Sequence, residues 1–278
     1  METLLTRDGC LRRQERLRTE MQVRRWDLFL TGHARTIYYL TGTLVAPESP
    51  AALVIRRDGG TVLLSPATEA PAADECVTVE TYSISRLISD PHSDMARLLT
   101  DRIDSNGGRT CAVELSHTPA CYVQHLASAY LLDAGPALRS LRKSKNEDEI
   151  AEIRRSLALS AVAYDAARSA IRPGLTEIDI YNAMFEAATK HATETFTFAG
   201  DFACGLRCVQ GGGPPTGNKI QSGDLYILDL FPSCAFYYGD TCRTFVVGEP
   251  SPAQQKAWES VAGAFGMAEK AAAWIACP

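Results

Sequence analysis

Short apolar runs and helically spaced apolar residues alternate along the first half of the chain. Leu11, Leu17, Met21 and Val23, set among many arginines, predict a helix over residues 12–25. Residues 27–30 (DLFL) follow as a short strand, 33–36 as a polar turn, and 37–40 (IYYL) open a new element before Thr41 and Gly42. Residues 51–55 and 61–64 predict two strands around Asp58-Gly59, a dipeptide that favours tight hairpins. Beyond them, 78–81 reads as a strand, 94–103 as an amphipathic helix, 111–114 as a strand and 121–131 as a helix. Residues 106–108 and 133–136 read as loop punctuation. This alternation predicts an α/β domain with helices covering a sheet.

A charged segment, 141–149, then leads into a long helix over 147–171, with Ile150, Ile153, Leu157, Ala161 and Tyr164 on one stripe. Arg172-Pro173-Gly174 stops it. Thr176 caps the next helix, with Asp179 three positions on, and that helix extends to about residue 189. Ser251-Pro252 starts a final helix toward Ile275.

Between these helices lies the stretch that carries the chemistry, residues 223–248, which reads as a β-hairpin with one aspartate in each strand. Folded about a midpoint between Cys234 and Ala235, it places Asp229 opposite Asp240. Directly opposed residues share a face, with Cβ atoms about 4.5–5.5 Å apart. Two carboxylates ~4 Å apart repel by roughly 4 kcal/mol at an effective dielectric of 20. Either one holds a proton, so that the two form a buried proton-sharing pair, or a cation lies between them.

The composition narrows the field of partners. A chain of 278 residues, 46% hydrophobic and 22% charged, is of ordinary globular make-up. Its 28 basic against 33 acidic residues argue against nucleic acid or an anionic membrane as partner. No apolar run approaches the roughly 18–20 residues of a membrane span, and the charged start is no secretory signal. Nine cysteines without a C-x-x-C pair predict reduced thiols and a cytoplasmic protein. Cys204 and Cys208 lack the partners of a zinc site. His33 reads as an ordinary turn histidine, with contact to a substrate as the alternative; His92, His117 and His125 read as equally plain, and no histidine follows His191. Gly211–Thr216 (GGGPPT) lacks the G-K-[ST] of a phosphate loop and reads as an irregular turn leading to the hairpin.

W-D-L-F-L-T at 26–31, I-Y-Y-L-T-G at 37–42 and the strand–D-G-G–strand at 53–64 resemble the N-terminal domain of creatinase, prolidase and aminopeptidase P. R-K-S-K-N-E-D-E-I-A-E-I-R-R from residue 142 and A-I-R-P-G-L-T-E from 170 resemble the opening of the pita-bread catalytic domain of the same metallopeptidase family. Gly223-Asp224-Leu225 with Asp229, then Asp240, Arg243-Thr244-Phe245, Val247 and Gly248, match the signature around that family's first two metal ligands. The resemblance implies an α/β creatinase-like N-terminal domain (1–140) followed by an incomplete α+β pita-bread domain (141–278). It implies that Asp229 and Asp240 are metal ligands for two divalent ions (Mn2+, Zn2+ or Co2+). In the family, such ions activate a water and polarise the carbonyl before proline. The implied substrate is a proline-containing peptide, and a homodimer is implied through the N-terminal domain.

Several positions depart from the pattern. Phe231 stands at a glycine position, Cys242 replaces a threonine, and the expected substrate histidine between residues 199 and 223 is missing. The family's further histidine and two glutamate ligands also do not appear. The ending A-A-A-W-I-A-C-P parallels A-R-S-A-I-R-P-G at 167–174 up to Ile275, so the last three residues are expected to reflect a frameshift or premature stop. On this reading the chain is of Xaa-Pro peptidase ancestry and inactive as it stands. The alternatives are a non-catalytic pita-bread module that binds a peptide or protein, and the metal-free amidinohydrolase chemistry of creatinase, which needs a catalytic histidine.

Overall fold

Thr6 opens the first helix by accepting a hydrogen bond from Gly9 N, so α1 spans Arg7–Arg24 and starts a turn and a half earlier than its apolar spacing predicts. Arg25, at φ 58°, ends it. The computed structural model describes residues 4–80, 90–103, 109–124, 126 and 130–275. Thr81, the loop at 106–108, His125 and the last three residues, to which expectations above attach, lie outside that set.

Strand β1 (Leu28–Thr31) leads into α2 (Ala34–Thr41). The predicted polar turn at 33–36 is this helix's first turn, and Gly42 closes it at φ 73°. Strands β2 (Ala52–Arg56) and β3 (Thr61–Ser65) form the expected antiparallel hairpin. β4 is Glu75–Thr78, earlier than predicted, because its parallel pairing with β3 begins at Val62↔Glu75. Next come α3 (Pro91–Arg102), capped by Asp90, then β5 (Thr110–Val113), α4 (Ala120–Gln124) and β6 (Tyr130–Asp133). The predicted helix over 121–131 is thus short, and Tyr130 and Leu131 belong to a strand paired in parallel with β5. Asp133–Pro136 is likewise more than a loop: Pro136 sits in the first turn of α5 (Gly135–Leu141).

The six strands lie in the order β4-β3-β2-β1-β5-β6. Alternate residues feed two cores, as the twofold period of a strand requires. Phe29, Leu53, Ile55, Leu63 and Ala112 pack with α1, α2 and α5 through Leu17, Met21, Ile37, Leu40 and Leu138. Leu28, Leu30, Val54, Val62 and Val113 pack on the other face with Met95 and Leu99 of α3 and Tyr122 of α4. The result is a helix–sheet–helix sandwich, which accounts for strands buried on both sides.

The chain divides into two compact units, Met1–Glu152 and Ile153–Pro278, with the boundary inside α6 (Glu147–Ala170). In the second unit, α7 (Glu177–His191) begins with the predicted cap: Thr176 accepts from Asp179 N while Asp179 accepts from Thr176 N. A sheet follows, made of β7 (Thr197–Cys204), β8 (Leu225–Cys234), the two-residue β9 (Tyr237–Tyr238) and β10 (Thr241–Val246), in the order β10-β8-β7 with β9 beside β8. Tyr226, Leu228 and Leu230 pack with Phe202 against Leu159, Ala163 and Ala167 of α6 and Ile180 and Met184 of α7. The helices therefore cover one face of this sheet. α8 (Pro252–Ile275) follows; Trp258, Val261, Phe265 and Met267 on it are exposed. No helix among the described residues is long and apolar enough to cross a membrane.

Candidate functional site

The uncovered face of the second sheet carries both predicted aspartates, in a register two residues different from that expected. Asp229 pairs with Cys242 on β10, and Thr241 pairs with Leu230. The hairpin midpoint therefore falls between Ala235 and Phe236, and Asp240 lies just before β10 rather than inside it. Asp229 and Asp240 still share a face, but as diagonal neighbours two residues out of register, farther apart than a directly opposed pair. Nor are both enclosed by apolar side chains: Asp229 is half-buried and Asp240 exposed.

The shift has a local cause. Ala235 and Phe236 take φ 44° and 69°, the left-handed pair of a two-residue hairpin turn that is usually built from Asn and Gly. Helix α6 imposes it. Ser156 Oγ donates to Tyr237 O (2.7 Å) and accepts from Cys234 N (3.0 Å), clamping both sides of the turn. Gly239 permits the close approach, because a Cβ there would lie 2.8 Å from Leu157 N. About two turns further along the same face of α6, Tyr164 Oη donates to Thr241 O at 2.5 Å and fixes the residue after Asp240. Burial raises the Tyr164 pKa to about 12, so the hydroxyl stays a donor.

A third carboxylate joins the pair on this face. Asp201 of β7 is the direct cross-strand partner of Asp229 and accepts from Gly213 N at 2.9 Å. Desolvation, then the charges of Asp240 and Asp201, pushes the Asp229 carboxyl above its ordinary value. Desolvation and the charge of Asp229 likewise push the Cys242 thiol up. Sequence reasoning missed Asp201, although its signal, a charged residue in an aromatic strand, was present. Among the described residues, no trio of His, Cys, Asp or Glu ligand atoms that includes Asp229 or Asp240 lies within 4.8 Å of one another.

The loop that reaches Asp201 is held from below by Glu177, the first residue of α7. Fully buried, Glu177 accepts from Cys204 N (2.9 Å), Thr216 N (2.9 Å), Thr216 Oγ1 (2.7 Å), Asn218 Nδ2 (3.3 Å) and the Arg207 guanidinium. Arg207 in turn donates to the carbonyls of Phe202, Gly212 and Pro214. The expected irregular turn is therefore present, with Gly211, Gly212 and Gly213 all at positive φ.

A second cluster, read from sequence as plain turn and surface histidines, lies in the first unit. β1 and β5 are parallel neighbours, with Leu30 beside Val113, so the residues just past their carboxyl ends meet. Glu114, 4% exposed, accepts from Thr31 Oγ1 (2.7 Å) and Thr36 Oγ1 (2.6 Å) on Oε2. Its Oε1 lies 3.0 Å from His33 Nδ1 and 3.8 Å from His117 Nδ1. Burial works against the Glu114 charge, yet the bonds from His33, Thr36 and Thr31 leave its carboxyl below the usual value. The two imidazoles stack at 3.9 Å, 9° from parallel.

Two family profiles match the chain: Creatinase/Prolidase N-terminal domain over residues 13–144 and Metallopeptidase family M24 over residues 151–273. An uncharacterized peptidase of Staphylococcus aureus (strain USA300) is 25% identical over 233 residues, 81% of this chain. The chain spans 63% of that relative's length. Among solved structures, prolidase from Pyrococcus furiosus superposes with a TM-score of 0.69 at 20% identity, covering 87% of this chain and 68% of its own. Xaa-Pro dipeptidase from Bacillus anthracis gives 0.70 at 19%, covering 89% and 68%. The fold is accordingly a creatinase-type N-terminal domain followed by a pita-bread domain, and the chain belongs to metallopeptidase family M24.

Proposed function

We propose that this chain carries the aspartate portion of an Xaa-Pro peptidase site, in which Asp229 and Asp240 contribute to holding divalent metal. The observation that carries the reading is their shared place on the uncovered sheet face, within the motif context of the family. The donor set tempers it. Two diagonal carboxylates with a third beside them supply oxygen ligands for a hard or borderline cation, but no convergent trio exists there among the described residues. The residues do not fit a closed two-metal centre, and hydroxide generation needs a fixed ligand set. The chain alone is therefore proposed to bind Mn2+, Zn2+ or Co2+ weakly at this face and to hydrolyse the bond before proline without useful turnover. Incubation of the purified chain with Ala-Pro dipeptide and Mn2+ tests this; metal-dependent cleavage abolished by Asp229→Asn would overturn the inactivity and keep the site.

Phe231 and Cys242 favour a second reading, a pita-bread module that binds a peptide or protein without cutting it. Both lie on the open face, Cys242 directly opposite Asp229. Such a module binds a proline-containing peptide equally well with chelator present and with Asp229 and Asp240 both changed to Asn. The proposal also includes a reducing, cytoplasmic setting and a homodimer, which sedimentation equilibrium checks.

A further inference from the structure

We propose that His33, Glu114 and His117 form a binding site for a zinc-class divalent cation, distinct from the carboxylates of the second unit. Their ligand atoms all lie within 4.8 Å of one another. A tetrahedral ion with bonds of about 2.0–2.1 Å spaces its donors about 3.3 Å apart. The 3.0 Å from Glu114 Oε1 to His33 Nδ1 is close to that spacing, and His117 Nδ1 stands 3.8 Å from the same oxygen, within reach after a side-chain rotation. Two imidazoles and one carboxylate select Zn2+, Co2+, Ni2+ or Cu2+ over Mg2+ and Ca2+, which prefer oxygen alone.

The surroundings are built for this role. Thr31 and Thr36 occupy Oε2 of Glu114, which leaves Oε1 as a single, oriented ligand. Glu114 and His33 sit at the ends of adjacent parallel strands, the crevice where open α/β sheets place their ligands. His117 is the adjustable member. An ion lies in the plane of each imidazole that binds it, so two parallel stacked rings cannot share one as they stand. The His117 side chain is 50% exposed, against 18% for His33, and can swing out of the stack. Binding also displaces the Nδ1 proton that His33 shares with Glu114. The Arg142 guanidinium lies 3.9 Å from Glu114 Oε1 and hydrogen-bonds Thr36. Its charge weakens a cation held by electrostatics alone more than one bonded to imidazole nitrogen, which again points to the zinc class.

The test uses the full chain with Asp229→Asn and Asp240→Asn, which removes the two aspartate ligands proposed for the second unit. Co2+ titration followed by visible absorption, with competition by Zn2+, is expected to show one site per chain. Adding His117→Ala is expected to weaken it by ~100-fold or more, since even outer-shell partners cost about 10–100-fold. His117 is half exposed, so this variant keeps the fold, which circular dichroism verifies. Unchanged affinity in His117→Ala, or no stoichiometric Co2+ binding in the Asn double variant, would refute the site.

Discussion

Glu177 offers the sharpest stability test of how the candidate face is built. Replacing it with Ala removes one buried carboxylate that accepts from four donors besides Arg207. Each hydrogen bond to a charged group contributes about 1.5–3 kcal/mol, but these are not additive within one network. The better guide is the cost of breaking a buried ion pair, about 3–5 kcal/mol, because the surviving charge stays behind. The Arg207 side chain is 22% exposed and keeps three carbonyl acceptors, so the lower end applies, ~3–4 kcal/mol. For a unit the size of Ile153–Pro278, 1 kcal/mol moves a melting midpoint by roughly 3–5 °C. Calorimetry of Glu177→Ala is thus expected to lower the second unit's transition by roughly 10–15 °C and leave that of Met1–Glu152 in place. A double-mutant cycle with Arg207→Ala should return a coupling of about 1.5–3 kcal/mol. A shift below ~3 °C, or a coupling within ~0.5 kcal/mol of zero, means that the network is not what holds the loop.

Two further variants each probe a local contact. Arg13 is fully buried, with Nη1 2.9 Å from Asp148 Oδ1 and 3.6 Å from Glu149 Oε2, so Arg13→Met should cost about 3–5 kcal/mol in urea unfolding. Although burial works to raise it, Arg13 holds the Asp148 carboxyl below its usual value. That stabilisation is complete above about pH 4 and is lost as pH falls through the lowered value, so Arg13→Met should flatten the acid limb of a stability–pH curve. Gly239→Ala puts a Cβ 2.8 Å from Leu157 N and 2.9 Å from the Ser156 carbonyl carbon; backbone must move, at about 1–3 kcal/mol by the same measurement.

What the sequence made legible was whatever has a local chemical signature. Asp58-Gly59 announced the β2–β3 hairpin, Thr176 with Asp179 announced the start of α7, and Ser251-Pro252 that of α8. The register of the β8–β10 hairpin escaped because its turn uses Ala235 and Phe236, which carry no left-handed preference; the clamp comes from Ser156 on a distant helix. β6 was masked by Tyr130-Leu131-Leu132, an apolar run that reads equally well as the end of a helix. The His33–Glu114–His117 cluster left no local trace, since a parallel strand pairing brings together groups that adjacent positions do not hint at. Asp201 became visible only through its pairing with Asp229.

The β1–β5 pairing also sets an order of assembly. His33 and Glu114 are 81 residues apart, and the strands delivering them meet only after that span of chain has closed on itself. The β8–β10 hairpin closes over a two-residue turn, but the Ser156 clamp that fixes its register comes from 78 to 81 residues upstream. In refolding, the carboxylate face and the histidine–glutamate cluster should therefore each wait on a closure of about 80 residues, the first on α6 against the turn and the second on the centre of the six-stranded sheet. The stacked imidazoles thus mark closure at the centre of the first unit's sheet.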